Sequence, residues 1–243
     1  MATFLVIGAT SAIAKATIRH MMNPQVQFIL VARDMDQLSQ LSQEITLKTG
    51  HTPNTIQADL TQLETIPEWI ATCLSNTPHI DYTLIAHGVL PDNPTAIKTI
   101  VQSVTVNFTS VALILETLKP HFIQQKGGVI GVITSVAGDR GRQSNYLYGA
   151  CKGGLSVFLA GYRHALFKHH VSVIDIRPGF VRSPMTSHVD QSGILFTDPK
   201  HIATGITKAF IRPKDTLYLP SYWAWIMRII RWMPSCVFHR LSI

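Results

Sequence analysis

The sequence of 243 residues predicts a single-domain α/β fold, in which helices cover both faces of a doubly wound parallel sheet. Short apolar runs alternate with segments of helical period along the chain, and this alternation is typical of parallel sheets with right-handed crossovers. No repeat, low-complexity tract or linker divides the chain, which is long enough to bury one large core. We therefore assign residues 1–220 to one domain and residues 221–243 to a C-terminal amphipathic helical tail.

Seven apolar runs are the predicted strands, and each ends where a polar or glycine-containing turn begins. They cover residues 3–7, 27–32, 54–58, 80–86, 128–134, 171–176 and 216–219. Helical patterns cover residues 12–22, 34–49, 95–119, 145–169 and 199–210, with a further helical segment from residue 61. Each strand therefore leads into a crossover segment, as a parallel sheet requires.

The composition indicates a globular protein and argues against several other classes. The chain is 46% hydrophobic and 14% charged, with a formal net charge of +7. That charge suits an acidic cofactor or an anionic membrane surface. The basic residues are scattered and no motif that recognises nucleic acid is present, which argues against nucleic-acid binding. We expect no secretory signal, because the first strand starts at Thr3, and no uncharged apolar run of about 18 residues that would span a membrane.

The three cysteines, Cys73, Cys151 and Cys236, are far apart and odd in number. This spacing indicates reduced thiols rather than a disulfide framework, and it predicts no metal site. The expected location is the cytoplasm.

The first strand ends in a turn that suits an anionic ligand. Gly8 opens the sequence Gly-Ala-Thr-Ser, and a helical pattern follows. A strand–turn–helix unit of this kind aims the free N–H groups of a helix N-terminus at a phosphate. Ala12 and Ala14 stand where two further glycines are expected, which weakens the motif. The candidate contacts are Gly8, Thr10, Ser11 and Ile13.

Arg33 follows the second strand and bears on which dinucleotide binds. In dinucleotide-binding folds an acidic residue here holds the ribose 2′-hydroxyl, whereas an arginine accommodates a 2′-phosphate. Ala32 occupies the position of the acid, so NADP(H) is favoured, with NAD(H) as the alternative. The competing interpretation is that Arg33 only solvates the strand end or pairs with Asp34.

Asp59 and Leu60 end the third strand and are further candidates for cofactor contacts. The carboxylate of Asp59 would receive the adenine amino group of a dinucleotide. An aspartate after a strand is equally a cap for the helical segment that follows, and both roles are compatible.

The turn after the fourth strand contains Ala86, His87 and Gly88, of which Ala86 and Gly88 are candidate cofactor contacts. A lone histidine in such a turn is more often structural than catalytic. In the next helix Asn107 lies among apolar residues, although asparagine is a poor helix former. We therefore expect Asn107 either to bind a water molecule or to mark a bend in the helix.

Ser135, Tyr148 and Lys152 have spacings with a chemical use. Tyr148 and Lys152 are four residues apart and leave the same face of a helix. A tyrosine with a pKa near 10 is a poor acid–base catalyst at neutral pH, and a nearby ammonium lowers that pKa. The loop before Tyr148 would bring the Ser135 hydroxyl back to the tyrosine, where both hydroxyl groups could bond one carbonyl oxygen. Taken alone, Tyr-x-x-x-Lys also occurs by chance, with the serine as a turn residue.

Together these residues resemble the short-chain dehydrogenase/reductase superfamily over essentially the whole chain. The features that carry the resemblance occur in the order and at the intervals of that family. They are the turn at Gly8, Asp59, Asn107, Ser135, Tyr148, Lys152, and the run with Pro178, Gly179, Val181 and Ser183. The chain departs from the family pattern at Ala12 and Ala14, and at Ile85-Ala86-His87-Gly88, where Asn-Asn-Ala-Gly is usual.

The resemblance implies a Rossmann-type fold and hydride transfer between a nicotinamide and a carbonyl substrate. It implies that Tyr148 is the general acid, that Lys152 lowers its pKa and binds the nicotinamide ribose, and that Ser135 binds the carbonyl. Asn107 would hold a water that links Lys152 to solvent. Pro178, Gly179, Val181 and Ser183 would pack against the nicotinamide. Family members commonly form homodimers or homotetramers through the helices that carry Asn107 and Tyr148.

Within the superfamily the chain looks most like reductases of decaprenylphosphoryl 2-keto-pentofuranose. The runs SVAGDRGRQSNYLYGACKGGL and RPGFVRSPMTSH and the tail YWAWIMRIIRWMPSCVFHRLSI carry this similarity. It implies a lipid-linked sugar ketone as substrate. One alternative is a reductase of acyl-chain or other small carbonyls. The other is a dinucleotide-binding regulator without catalytic activity, which the altered glycine turn suggests.

The tail contains three of the four tryptophans, together with Arg228 and Arg231. Tryptophans beside arginines on a short amphipathic segment suit a membrane interface, which would place the enzyme peripherally on the inner membrane face. The alternative is a C-terminal helix that packs over the substrate cleft or across a subunit interface.

Overall fold

The computed structural model describes residues 1–75, 77–91, 96–187 and 190–241. The predicted helix start at residue 95, and the predicted family motif and tail positions at residues 188, 242 and 243, lie outside these residues.

All seven predicted strands form one sheet in which every neighbouring pair is parallel. The order across the sheet is β3-β2-β1-β4-β5-β6-β7. The strands are β1 (Ala2–Ile7), β2 (Val26–Ala32), β3 (Asn54–Gln57), β4 (Tyr82–Ile85), β5 (Val129–Ile133), β6 (Ser172–Pro178) and β7 (Thr216–Leu219). The chain reverses direction across the sheet between β1 and β4, and such switch points are where doubly wound folds bind ligands.

Helices cover both faces of the sheet, as predicted. They are α1 (Ala12–Met21), α2 (Met35–Thr49), α3 (Ile66–Leu74), α4 (Ile97–Val104), α5 (Ser110–Gln125), α6 (Tyr146–Leu166), α7 (Pro199–Ile211), α8 (Trp223–Trp232) and α9 (Ser235–Phe238). Alternate residues of β1 point to opposite faces. Phe4 and Val6 pack with α1, α2 and α7, whereas Leu5 and Ile7 pack with α3, α5 and α6.

Two helix boundaries differ from the sequence-based prediction by about five residues or more. The helix expected from residue 61 begins at Ile66, after a short 3₁₀ turn at Leu63–Thr65. The helix expected to end at residue 119 continues through Pro120 to Gln125 and stops where Lys126 adopts a left-handed conformation (φ 56°). Proline removes only one backbone hydrogen bond, and the buried side chains of α5 hold this helix on the sheet beyond it.

The helical segment Ile97–Gln125 is long and apolar enough to cross a membrane by length and composition, contrary to the sequence-based expectation. It is the one segment of this kind among the described residues. The buried residues of its second half, such as Ile114, Leu118 and Phe122, belong to the main core beside the sheet. Its apolar character therefore reflects a helix layer of the fold.

The tail forms α8 and α9 and packs one face against the body of the protein. Trp223 and Met227 are buried in a small cluster with Val136, which follows β5. The guanidinium of Arg140 donates a hydrogen bond of 2.6 Å to the carbonyl oxygen of Met233 and lies 3.9 Å from the ring centroid of Phe238. Both the loop after β5 and the tail therefore depend on these contacts for their position.

Candidate active site

A cleft of about 900 Å³ opens where β1, β4, β5 and β6 end. The segments after these four strands supply most of its lining, because the carboxyl ends of parallel strands share one edge of the sheet. Most of the site residues predicted from the sequence line this cleft. They are Thr10, Ser11, Ile13, Ala86, Gly88, Ser135, Tyr148, Lys152, Pro178, Gly179, Val181 and Ser183.

Five predicted site residues do not line the cleft. They are Gly8, Arg33, Asp59, Leu60 and Asn107. Gly8 shapes the turn after β1, and Asn107 contacts the loop after β4. Arg33, Asp59 and Leu60 lie at or beyond the ends of β2 and β3.

Gly8 has a structural requirement for glycine. Its φ of +77° lies in the left-handed region, and an added Cβ would lie 2.7 Å from the backbone nitrogen of His87. The N–H of Gly8 donates to the carbonyl oxygen of Val31, which fixes the start of the turn. Ser11 then caps α1 by accepting a hydrogen bond from the N–H of Ala14. The turn thus presents the N-terminus of α1 to the cleft even though Ala12 and Ala14 replace glycine.

His87 is a structural residue of the turn after β4. Ser110 Oγ donates to the carbonyl oxygen of Val106, so at the 2.9 Å contact His87 Nε2 is the donor and Ser110 Oγ the acceptor. Burial lowers the pKa of His87 to about 3, with a smaller contribution from the charge of Lys152. The ring is therefore neutral at physiological pH, as expected for a histidine without a catalytic role.

Tyr148 and Ser135 lie together in the cleft, and the environment of Tyr148 raises its pKa. Burial raises the pKa of Tyr148 to about 12, whereas the hydrogen bond with Ser135 opposes that change. The sequence predicts the opposite direction, because it places the charge of Lys152 beside the phenol and says nothing of desolvation. In this structure the phenol is protonated at neutral pH, which is the form that a general acid needs.

Lys152 is buried, with 1% of its surface exposed, and its Nζ atom donates a hydrogen bond of 3.0 Å to the carbonyl oxygen of Ile133. Burial lowers the pKa of Lys152 to about 8, and the neighbouring Cys151 and Asp175 oppose that change. An added Cβ at Gly88 would lie 3.5 Å from this Nζ atom. The glycine therefore leaves the ammonium accessible from the turn after β4.

Asn107 lies in a π-helical turn, Thr105–Thr109, between α4 and α5. Its Oδ1 atom accepts a hydrogen bond of 3.0 Å from the N–H of Val89, and its Nδ2 atom donates to the carbonyl oxygen of Val89 at 2.9 Å. Nδ2 also contacts Ser103 Oγ at 3.2 Å. The amide thus ties the loop after β4 to a widened helix turn, in line with the expectation of a helix irregularity. The predicted water remains a prediction.

A buried ionic cluster supports the loop that carries Ser135. Arg177 bonds to Asp139 and Asp175, each at 2.6 Å, and Tyr218 donates to Asp139 at 2.8 Å. Burial alone would lower the pKa of Arg177, but the two carboxylates raise it above its ordinary value. Thr134 also donates to Asp175. The cluster thus joins β6 to the start and the middle of the loop after β5.

Arg33 and Asp59 have the surroundings of exposed turn residues. The Arg33 side chain is exposed just after β2, and it forms no ion pair with any residue that the structure describes. Asp34 instead caps α2 by accepting from the N–H of Gln37. Asp59 accepts from both the N–H and the hydroxyl of Thr61, which is a local turn. The predicted capping role is wrong, because the 3₁₀ turn and α3 begin only at Leu63 and Ile66 and neither has a side-chain cap.

Comparisons with known proteins agree with this geometry. Residues 2–193 match the family model for short chain dehydrogenases. The chain belongs to the short-chain dehydrogenase family. It is also 29% identical to an uncharacterized oxidoreductase of Streptomyces coelicolor, over 99% of this chain and 96% of the relative. An uncharacterized oxidoreductase of Mycobacterium tuberculosis is 26% identical, over 88% of this chain and 86% of the relative.

Solved structures of low sequence identity share the fold of this short-chain dehydrogenase. A short-chain dehydrogenase of Sphingobium yanoikuyae, solved in complex with NADPH, has a TM-score of 0.84 and 20% identity and covers 99% of this chain and 96% of its own. A bulky-bulky ketone specific alcohol dehydrogenase of Comamonas testosteroni has a TM-score of 0.82 and 21% identity, and covers 99% and 95%. These similarities confirm the predicted single-domain Rossmann-type fold.

The residues of this short-chain dehydrogenase fit a dinucleotide, as its family of NAD(P)-dependent oxidoreductases requires. In the turns after β1 and β4, beside the cleft, an added Cβ would collide with the protein. At Gly8 it would meet His87, and at Gly88 it would lie 2.9 Å from Asn107 Oδ1. Close packing therefore requires glycine in both turns, and these turns leave the N-terminus of α1 and Lys152 at the lining of the cleft, where a phosphate and a ribose hydroxyl fit.

Several lining residues of this short-chain dehydrogenase escaped the sequence analysis. An apolar wall includes Leu90, Leu147, Phe180, Met185 and Phe196, and the polar residues Arg142, Ser144 and Asn145 precede α6. Except for Leu90 and Phe196, these residues lie within runs that the sequence analysis quoted only for family resemblance. Their proximity to Tyr148 and Pro178 along the chain was the available signal, since loops between catalytic residues generally line the same site.

Proposed function

We propose that this short-chain dehydrogenase reduces a ketone with NADPH. The observation that carries the proposal is that Ser135, Tyr148 and Lys152 line one cleft together with the start of α1. A ketone in this cleft has a proton donor beside it, and a dinucleotide phosphate has a helix N-terminus.

In the proposed mechanism the reduced nicotinamide, when bound, supplies the hydride that adds to the carbonyl carbon. The substrate oxygen accepts hydrogen bonds from Ser135 Oγ and Tyr148 Oη, which stabilise the negative charge that develops on it. Tyr148 then gives its proton to that oxygen. Lys152 is the nearby cation that favours the resulting phenolate, and Asn107 would support the return of a proton to this site through water.

The proposed preference for NADPH depends on Arg33. Its exposed guanidinium follows β2, and within the described residues it has no carboxylate partner, so it is available for a 2′-phosphate. The NADPH complex of the similar Sphingobium yanoikuyae structure supports the same choice. Asp59 and Leu60, just after β3, are the proposed neighbours of the adenine, and the second carboxylate oxygen of Asp59 remains available beside Thr61.

The proposed substrate is a ketone with a large apolar part, and a polyprenyl-linked sugar is the specific candidate. The support is the apolar wall of the cleft, which includes Leu147, Phe180 and Met185. The exposed apolar face of α8 adds to it, because a membrane-bound substrate has to be reached at the bilayer surface. A reductase of acyl-chain ketones is the alternative that the same wall favours.

Two surfaces suit the proposed partners of the enzyme. On α4 the exposed apolar residues Ile97 and Val101, and on α6 Val157, lie on the helices through which we propose a homodimer or homotetramer. On α8 the side chains of Trp225 and Trp232 are exposed beside arginines, which suits peripheral contact with an anionic membrane.

The test of the proposed function is reduction of a panel of ketones by NADPH, in the wild type and in Tyr148→Phe. We expect the variant to lose activity by about 10²- to 10⁴-fold, which is the typical contribution of a positioned acid, while the dissociation constant of NADPH changes less than about twofold. A Tyr148→Phe enzyme that reduces the best ketone at a rate near that of the wild type would contradict the assignment of the acid.

A further inference from the structure

Arg142 is a buried cation in the wall of the cleft. It lies in the loop between β5 and α6, six residues before Tyr148, and only 6% of its surface is exposed. Among the described residues its Nε atom has no hydrogen-bond partner and no carboxylate lies within 4.0 Å of its guanidinium. Within the same residues its one side-chain hydrogen bond is a weak one of 3.5 Å, from Nη2 to Met227 Sδ.

This arrangement is costly in the absence of a ligand. Burying a guanidinium without a paired anion removes hydration that no protein group replaces. The same burial lowers the pKa of Arg142, and only the more distant charge of Asp139 opposes that change. Arg177, another buried guanidinium of the same region, is by contrast paired with Asp139 and Asp175. Among the described residues, none therefore supplies the anion that a buried guanidinium such as Arg142 needs.

A second polar group in the same wall also lacks a partner. The Oδ1 atom of Asn145 is buried and accepts no hydrogen bond within the described part of the chain. Asn145 lines the cleft three residues after Arg142 and three residues before Tyr148. An unused acceptor beside an unused cationic donor suits a ligand that carries both a hydroxyl group and an anionic group.

The position of Arg142 favours the substrate over the phosphates of the cofactor as its partner. The proposed phosphate contacts lie at the start of α1 and at Arg33, which follow β1 and β2. Arg142 follows β5 and contacts α8, which follows β7 at the opposite edge of the sheet. The guanidinium therefore belongs to the part of the cleft lined by the segments after β5, which also carry Ser135 and Tyr148.

We propose that Arg142 binds an anionic group of the ketone substrate, with Asn145 accepting a neighbouring hydroxyl. This inference rests on the proposed ketoreductase function and narrows its substrate class to hydroxylated ketones with a phosphate or phosphodiester. A guanidinium pairs with phosphate oxygens through two parallel hydrogen bonds, which fits a buried and pre-positioned site. The adjacent apolar wall accommodates an apolar substituent on such a group.

The competing role for Arg142 is purely structural, as an anchor for the tail through Met227. Arg140 provides a matched control, because it lies in the same loop and bonds to backbone carbonyl oxygens of Ile230 and Met233 but does not line the cleft. If Arg142 acts only by anchoring the tail, replacement of Arg140 must have a similar effect. If Arg142 acts through its charge in the cleft, replacement of Arg140 must not have that effect.

The experiment compares dihydroxyacetone phosphate with dihydroxyacetone as NADPH-dependent substrates of the wild type, Arg142→Met, Arg142→Lys and Arg140→Met. We expect Arg142→Met to reduce kcat/KM for the phosphorylated ketone about tenfold or more, with less than about a twofold change for the neutral ketone. Arg142→Lys restores part of the loss, because it returns the charge without the planar fork. Arg140→Met has equal effects on both ketones.

A binding measurement separates failure of this inference from failure of the reductase function. Methyl phosphate is titrated calorimetrically into the same proteins at saturating NADPH. If the wild type reduces no ketone, the reductase function is overturned. If the wild type nevertheless binds methyl phosphate and Arg142→Met does not, the anion site stands. If Arg142→Met binds methyl phosphate as the wild type does, or slows both ketones equally, the anion site is overturned.

Discussion

The Nζ atom of Lys152 lies 5.9 Å from the ring centroid of Tyr148 and donates its hydrogen bond to the carbonyl oxygen of Ile133, at 3.0 Å. Lys152 is buried and Tyr148 is half-buried, and the loss of solvent drives each towards its neutral form. Burial raises the pKa of Tyr148 to about 12 and lowers the pKa of Lys152 to about 8. Desolvation is therefore the largest cause of both pKa shifts in this structure.

The lowered pKa of Lys152 predicts that productive capture of NADPH weakens as the pH rises through about 8. Below that pH the ammonium is charged and can bind a ribose hydroxyl, whereas above it the charge is lost well before an ordinary lysine would lose it. We expect kcat/KM for NADPH, which reports groups of the free enzyme, to fall between pH 7 and 9, by analogy with other titrations of essential groups.

Two variants control this pH profile. His87→Asn should retain the fall near pH 8, because burial keeps His87 neutral, with a pKa of about 3. Lys152→Met should have a low kcat/KM with no fall in this range. A wild-type profile that is flat from pH 7 to 9 would show that Lys152 keeps its proton there.

The local pattern of the sequence was sufficient to predict the strands and the turn at Gly8. These features depend on residues close in sequence or on a period of two or 3.6 residues. The direction of the pKa shift of Tyr148 was beyond such reasoning, because desolvation depends on the whole fold.

Arg142 was missed for a related reason. Its burial requires α8, whose Met227 lies 85 residues away in the sequence. The extent of α5 beyond Pro120 is a similar case, since packing of residues such as Phe122 on the sheet overrides a local helix-breaking signal.

Gly8→Ala tests the turn, and Gly50→Ala is its matched control. Both glycines have a φ of +77°, but an added Cβ meets nothing within 4 Å at Gly50 and the backbone of His87 at Gly8. We expect Gly50→Ala to lower the free energy of unfolding by about 1–2 kcal/mol through the left-handed conformation alone. Gly8→Ala should cost roughly 1–3 kcal/mol more, because of the collision, and should weaken NADPH binding.

Urea denaturation of the two variants gives the comparison directly, and a fluorescence titration gives the affinity for NADPH. Equal losses of stability would mean that His87 moves aside without cost. The turn after β4 would then be less rigid than the hydrogen bond between His87 and Ser110 indicates.

Arg33→Ala tests the choice of dinucleotide. Removing a charged hydrogen-bond partner of a 2′-phosphate should weaken NADPH binding by about tenfold to a hundredfold and leave NADH binding nearly unchanged. Titration with each nucleotide, followed by quenching of tryptophan fluorescence, measures both constants. Arg212→Ala, which changes an exposed arginine after α7, is the control for loss of one positive charge. Equal weakening of both nucleotides by Arg33→Ala would show that this arginine does not read the phosphate.

The exposed face of α8 predicts binding to anionic membranes. Trp225, Ile229 and Trp232 form a stripe at helical spacing, with the two tryptophans 66% and 84% exposed, while Trp223 and Met227 on the other face are buried. We expect the wild type to sediment with vesicles that contain phosphatidylglycerol, and less so as salt is raised, because the arginines beside the stripe contribute by charge.

The double variant Trp225→Ser/Trp232→Ser should lose most of this sedimentation and keep its stability, because neither side chain is in the core. Phe167→Ser is the control, since Phe167 is also exposed (76%) but follows α6. If the double variant sediments as the wild type does, the tail does not contact the membrane through this stripe. If Phe167→Ser weakens sedimentation equally, general apolar exposure rather than α8 is responsible, and the tail then serves the enzyme through its buried face alone.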